Sequence, residues 1–139
     1  MATLIAPAPL AARAPAPRAR WAGRIVTGVT LVFLAFDAVV KFVPVPGAAA
    51  ATAQLGWSPA QAPVLGAIAL LCLVLYAVPR TAVLGAVLWT GYLGGAVATH
   101  LRVGNPLLTH TLFPVYVGAL VWGALALRDP RVRALFAPR

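Results

Sequence analysis

Residues 81–102 read T-A-V-L-G-A-V-L-W-T-G-Y-L-G-G-A-V-A-T-H-L-R. No charge interrupts this run between Arg80 and Arg102. A bilayer core about 30 Å thick needs roughly 20 predominantly apolar residues to cross it as a helix. The run meets that length, and its glycines and alanines suit a helix packed in lipid better than a soluble strand or core helix. It is read as a membrane span over 81–101.

Working outward, three more apolar runs have similar boundaries. One covers 25–43 and is followed by Pro44 and Pro46, which cannot continue a helix. The next covers 63–79 and ends at Pro79-Arg80, so it forms an antiparallel hairpin with the run at 81–101. The last covers 107–127, between the turn Gly104-Asn105-Pro106 and the charged stop Arg128-Asp129-Pro130. Pro114 within it predicts a kink. Between the first two runs lies an uncharged stretch, 47–61, read as a loop at the membrane surface, where Trp57 suits the interface. The fold expected is an all-α integral membrane protein, a four-transmembrane-helix bundle over 24–136. Residues 1–23, rich in Pro, Ala and Arg, are read as a disordered tail.

Composition agrees. The 139 residues are 62% apolar and 9% charged, far from the roughly one-quarter charged of soluble domains. The net charge of +9 is not read as a nucleic-acid surface. Arg13, Arg18, Arg20 and Arg24 precede the first run, and Arg128, Arg131, Arg133 and Arg139 follow the last. With Arg80 they lie on one side, against Arg102 on the other. That asymmetry predicts both termini on the cytoplasmic side of a multi-pass protein, expected in a bacterial cytoplasmic membrane. An Arg-rich start followed by an apolar run also suits a cleaved leader, but Asp37 and Lys41 inside the run count against it. The single cysteine, Cys72, excludes an intrachain disulfide and is read as a small hydrophobe.

Polar residues inside the runs need a reason, since a charge at mid-bilayer costs about 2.5–3.5 kcal/mol on insertion scales. At about 1.5 Å per residue, Asp37 and Lys41 stand roughly 20 and 25 Å from Arg24, His100 roughly 30 Å from Arg80, and His110 roughly 27 Å from Arg128. All four fall in the outer half of the membrane, and Arg102 joins them. Asp37 and Lys41 form an i, i+4 pair in the favourable acid-first order. His100 and His110 can donate, accept and titrate, and Arg102 offers a planar donor fork. These five residues are the candidate ligand-binding or proton-relay groups. The same residues also fit a purely structural role, the pair neutralising itself and the histidines pinning helices. No metal-ligand spacing and no nucleotide, nucleophile-elbow or dithiol motif is present, so no cofactor is encoded by motif and no catalytic activity is expected of the chain alone. Gly91 and Gly95 form a G-x-x-x-G pair, and Ala119 and Gly123 a small-x-x-x-small pair. Both are expected to seat helices within the bundle, with a homo-oligomer face as the alternative.

From L-Y-A-V-P-R at 75–80 through T-G-Y-L-G-G-A-V-A-T-H to L-R-V-G-N-P at 101–106, the chain resembles the DoxX-like family of small bacterial membrane proteins. L-F-P-V-Y at 112–116, W-G-A-L-A-L-R-D at 122–129, F-D-A-V-V-K-F at 36–42 and L-G-W-S-P at 55–59 extend the resemblance over roughly 24–136. It implies a four-helix membrane bundle whose recurring polar positions match Asp37, Lys41, His100 and Arg102, with His110 beside them. The family takes its name from a subunit associated with quinol oxidation and thiosulfate:quinone oxidoreduction, and some relatives are linked to thiol redox balance. Three roles follow as expectations: an accessory subunit of a quinone-linked membrane redox system with a protein partner, a site for a quinone, lipid or other small amphiphile between helices, and a small transporter or proton relay.

Overall fold

The computed structural model describes residues 17–43 and 46–135. Residues 1–16, Pro44, Val45 and 136–139 lie outside it, and with them most of the expected tail and the arginines at 13 and 139. The described chain is helical: α1 (Pro17–Val40), α2 (Pro46–Gln54), α3 (Ala62–Ala77), α4 (Ala82–Arg102), a π-helical turn (Leu107–Thr111), α5 (Phe113–Arg128) and α6 (Pro130–Leu135).

Helix boundaries follow local chemistry. Pro63 and Pro114 sit in the first turns of α3 and α5, where a helix has backbone donors to spare and a missing N–H is harmless. Val78 and Asp129 each precede a proline, and both are extended, with ψ of 122° and 110°. The ring of the following proline disfavours helical geometry there. Gly56 and Gly104 have φ of +76° and +71°, and each closes the helix before it. Past α4, Asn105 N–H donates to the His100 carbonyl and Gly104 N–H to Leu101; past α2, Trp57 N–H donates to Thr52 and Gly56 N–H to Ala53. This paired closure requires a left-handed residue, the conformation glycine adopts without strain.

Two expectations change. The stretch expected as a loop contains α2, because Ala48 to Ala53 are strong helix formers. The last apolar run changes helix type rather than bending at its proline: Leu107–Thr111 is π-helical, Leu112 lies between, and Pro114 sits in the first turn of α5.

Three helical segments are long and apolar enough to cross a membrane: Trp21–Val40, Ala82–Arg102 and Leu107–Arg128. α3 is apolar but has 16 residues, about 24 Å of rise, short of the hydrocarbon thickness. Outward positions such as Val32, Phe36, Leu71 and Leu108 are apolar and exposed, which suits lipid as solvent.

α1 packs against α3 and α5, and α4 packs against the same two. The four therefore form a ring in which α1 faces α4 across the middle. The core holds Leu34, Ala69, Cys72, Tyr76, Ala86 and Val121, so Cys72 packs as a small hydrophobe among neighbouring helices. At one end, Tyr76 Oη donates to the Val121 carbonyl at 2.8 Å, while Arg128 donates to the Tyr76 carbonyl at 2.6 Å and lies 4.5 Å over its ring. This cluster ties α3 to α5 at the arginine-bearing end.

The closest helix approaches are at glycines the sequence pattern did not single out. A methyl on Gly85 would overlap the Tyr76 backbone and the Leu75 carbonyl carbon, and one on Gly66 would lie 2.8 Å from the Phe42 ring. A methyl on Gly91, Gly95 or Gly123 would meet nothing within 4 Å, and Ala119 is exposed. The two small-residue pairs therefore do not seat helices against each other within this chain. Gly85→Val is expected to destabilise the bundle by on the order of 1–3 kcal/mol through overpacking, read as a lower Tm in detergent. Gly91→Ala is expected to leave Tm nearly unchanged.

Candidate functional site

Towards the end of the ring opposite Tyr76 and Arg128, the bundle holds a cavity of about 620 Å³ that opens to the outside. Its walls are mainly apolar, with Phe33 from α1, Ile68 from α3, and Phe113 and Val117 from α5. Leu55 and Trp57, on the connection after α2, close one side. On α4, Gly91, Gly95 and Ala96 line the cavity.

Asp37 and Lys41 enter from α1. Lys41 Nζ lies 2.7 Å from Asp37 Oδ2 and also donates to the Asp37 backbone carbonyl at 2.7 Å. A lysine near a helix end can serve such a carbonyl, which has a second lone pair to offer. The same ammonium stands 5.9 Å from the centre of the Tyr92 ring on α4. The pair is half-buried and internally neutralised, so it adds polarity to the wall with little net charge.

α4 contributes Trp89, Tyr92, Thr99 and His100. Thr99 Oγ1 returns its proton to the Gly95 carbonyl at 2.8 Å. His100 Nδ1 is 2.8 Å from the Asn105 side-chain amide nitrogen. That amide donates, so Nδ1 accepts and a neutral imidazole carries its proton on Nε2. Trp89 is fully buried against Tyr92, edge to face at 5.3 Å. Its indole Nε1 has no hydrogen-bond partner.

Of the five residues expected at the site, Asp37, Lys41 and His100 line one cavity. Arg102 does not. Its Nη2 donates to the Leu55 carbonyl at 2.8 Å, pinning the α2–α3 connection to the end of α4. His110 sits on the exposed π-helical turn, bonded to Thr109 Oγ1 at 2.8 Å, with its ring 6.1 Å from that of His100. Among the described residues, no three His, Cys, Asp or Glu side chains are grouped closely enough to share an ion. Sequence reasoning gave Trp89 no role. Its spacing with Tyr92, Ala96 and Thr99 (i, i+3, i+7, i+10) places the four on one helix face and carries the signal.

Arg102→Ala is expected to release the connection without unfolding the bundle. Amide exchange at Gly56 and Trp57 should rise severalfold, while stability changes by about 1 kcal/mol or less. Hydrogen exchange followed by mass spectrometry checks both.

The sequence pattern of the DoxX-like family matches residues 25–124, from the start of the apolar part of α1 to the latter half of α5. No curated protein and no solved structure matches the chain. The family match spans every helix that lines the cavity, and the chain belongs to the DoxX-like family.

Proposed function

We propose that this membrane protein holds a small amphiphile, such as a quinone or a lipid, between its helices at the end of the bundle that carries Asp37, Lys41 and His100. The observation that carries the reading is the cavity itself: apolar walls with a few polar groups converging from α1 and α4, the composition that small-molecule sites require. A volume of about 620 Å³ lies within the usual range of such sites. The arginines at 24, 80, 128, 131 and 133 favour an orientation with both termini cytoplasmic, which puts the cavity in the outer leaflet of a bacterial cytoplasmic membrane. A quinone held there would suit an accessory subunit of a membrane redox system, the role that the family resemblance suggests. Proton relay has less support, because the cavity's ionisable groups, Asp37, Lys41 and His100, all lie at one end.

The test is native mass spectrometry of protein extracted gently from its own membranes. The expected result is a co-released species of quinone or lipid size. Gly95→Phe, which fills cavity space where a Cβ meets nothing within 4 Å, should abolish that co-release and leave Tm unchanged. Full occupancy in the folded Gly95→Phe protein would remove the cavity as the binding site.

A further inference from the structure

The buried indole of Trp89 leaves a hydrogen-bond donor unused, as do Thr27 Oγ1 and Arg128 Nε, and of these three residues Trp89 alone lines the cavity. Thr30, Thr90 and Thr99 donate to carbonyls one turn back, and Tyr76 and Trp122 donate across helices. Trp89 is 0% exposed, has no partner for Nε1, and stands in the cavity wall. A buried donor without an acceptor is costly, and native proteins seldom leave one unsatisfied.

We propose that Trp89 Nε1 donates to an oxygen of the bound molecule, and that this molecule carries an uncharged, acceptor-bearing head such as a ketone, ester or amide carbonyl. The assignment rests on the amphiphile reading above and narrows it. Three features of the wall favour a neutral acceptor. Lys41 aside, the donors of its lining residues are neutral: Trp89 Nε1–H, which has no acceptor, His100 Nε2–H, because Asn105 occupies Nδ1, the Tyr92 hydroxyl and the Trp57 indole N–H. The Lys41 ammonium, the one cation on the wall, is already engaged twice by Asp37, so it offers an anion little. The Asp37 carboxylate on the same wall repels an anionic head, and in these apolar surroundings an unmatched charge is costly. A carbonyl oxygen satisfies the orphan donor without bringing a charge into the bundle. The hydrocarbon part of the molecule then lies along Phe33, Ile68 and Phe113.

Three thirteen-carbon probes separate the alternatives: 2-tridecanone, tridecane and tridecanoate, each titrated into ¹⁵N-labelled protein in nanodiscs while the tryptophan indole resonances are followed. The ketone is expected to move one indole proton downfield, the resonance missing from Trp89→Phe. It should bind about tenfold more tightly than the alkane, as one hydrogen bond provides. In Trp89→Phe that preference should disappear while alkane binding persists. The wild-type titration stands without the variant, so a folding defect in Trp89→Phe does not remove the test. Equal binding of ketone and alkane, both blocked by Gly95→Phe, would overturn the head-group assignment and leave the cavity reading intact. Tighter binding of tridecanoate would overturn the uncharged head. No binding of any probe would remove both.

Discussion

Lipid offers no hydrogen bonds, and this one constraint organises the protein. Backbone groups close on themselves in helices, and every side-chain donor inside them must find an acceptor of its own. Thr30, Thr90 and Thr99 hand their protons back one turn, Thr27 Oγ1 and Arg128 Nε have no partner, and the helix ends at Gly56 and Gly104 close their own carbonyls with left-handed turns. At the base of α5, Arg133 serves the Ala126 and Leu127 carbonyls at 3.2 and 2.9 Å. Against that background the unpartnered indole of Trp89 is informative, because the surroundings cannot supply a substitute.

The two ends of the ring differ for a physical reason. At the arginine end, Gly85 lets α4 press against the Tyr76 backbone, and Tyr76 and Arg128 fill what remains. At the other end, Gly91, Gly95 and Ala96 line the cavity, and a Cβ on either glycine would meet nothing within 4 Å. Gly85 and Gly66 thus bring helices together, one near each end, while Gly91 and Gly95 border open space. The Asp37–Lys41 pair can persist beside this space because each partner neutralises the other, and Arg102 holds the α2–α3 connection over it through Leu55.

Much of this was legible in residue order. The apolar runs and the prolines behind them located α1, α3 and α4 to within a few residues, except where α1 begins earlier, at Pro17. The acid-first i, i+4 spacing anticipated the Asp37–Lys41 pair, and helical rise placed His100 at the same end of the bundle as that pair. Other features depend on what lies opposite, which one-dimensional spacing does not carry. A G-x-x-x-G pair does not say whether its face meets a helix or a void, so Gly91 and Gly95 looked like packing sites while Gly85 and Gly66 went unremarked. Arg102 looked like a ligand donor until the Leu55 carbonyl was seen beside it. Ala48 to Ala53 lack the apolar periodicity that signals a buried helix, and the closure of α2 at Gly56 and the Arg102 bond to Leu55 lie outside that run.

The central claim is that the space between α1 and α4 is a ligand site. A high-resolution structure of the protein purified from its native membranes in mild detergent tests it most directly. The account predicts non-protein density between Phe33 and Tyr92, with an oxygen within hydrogen-bond distance of Trp89 Nε1. Closure of that space by side chains, with the Trp89 indole bonded to a protein carbonyl, would contradict it.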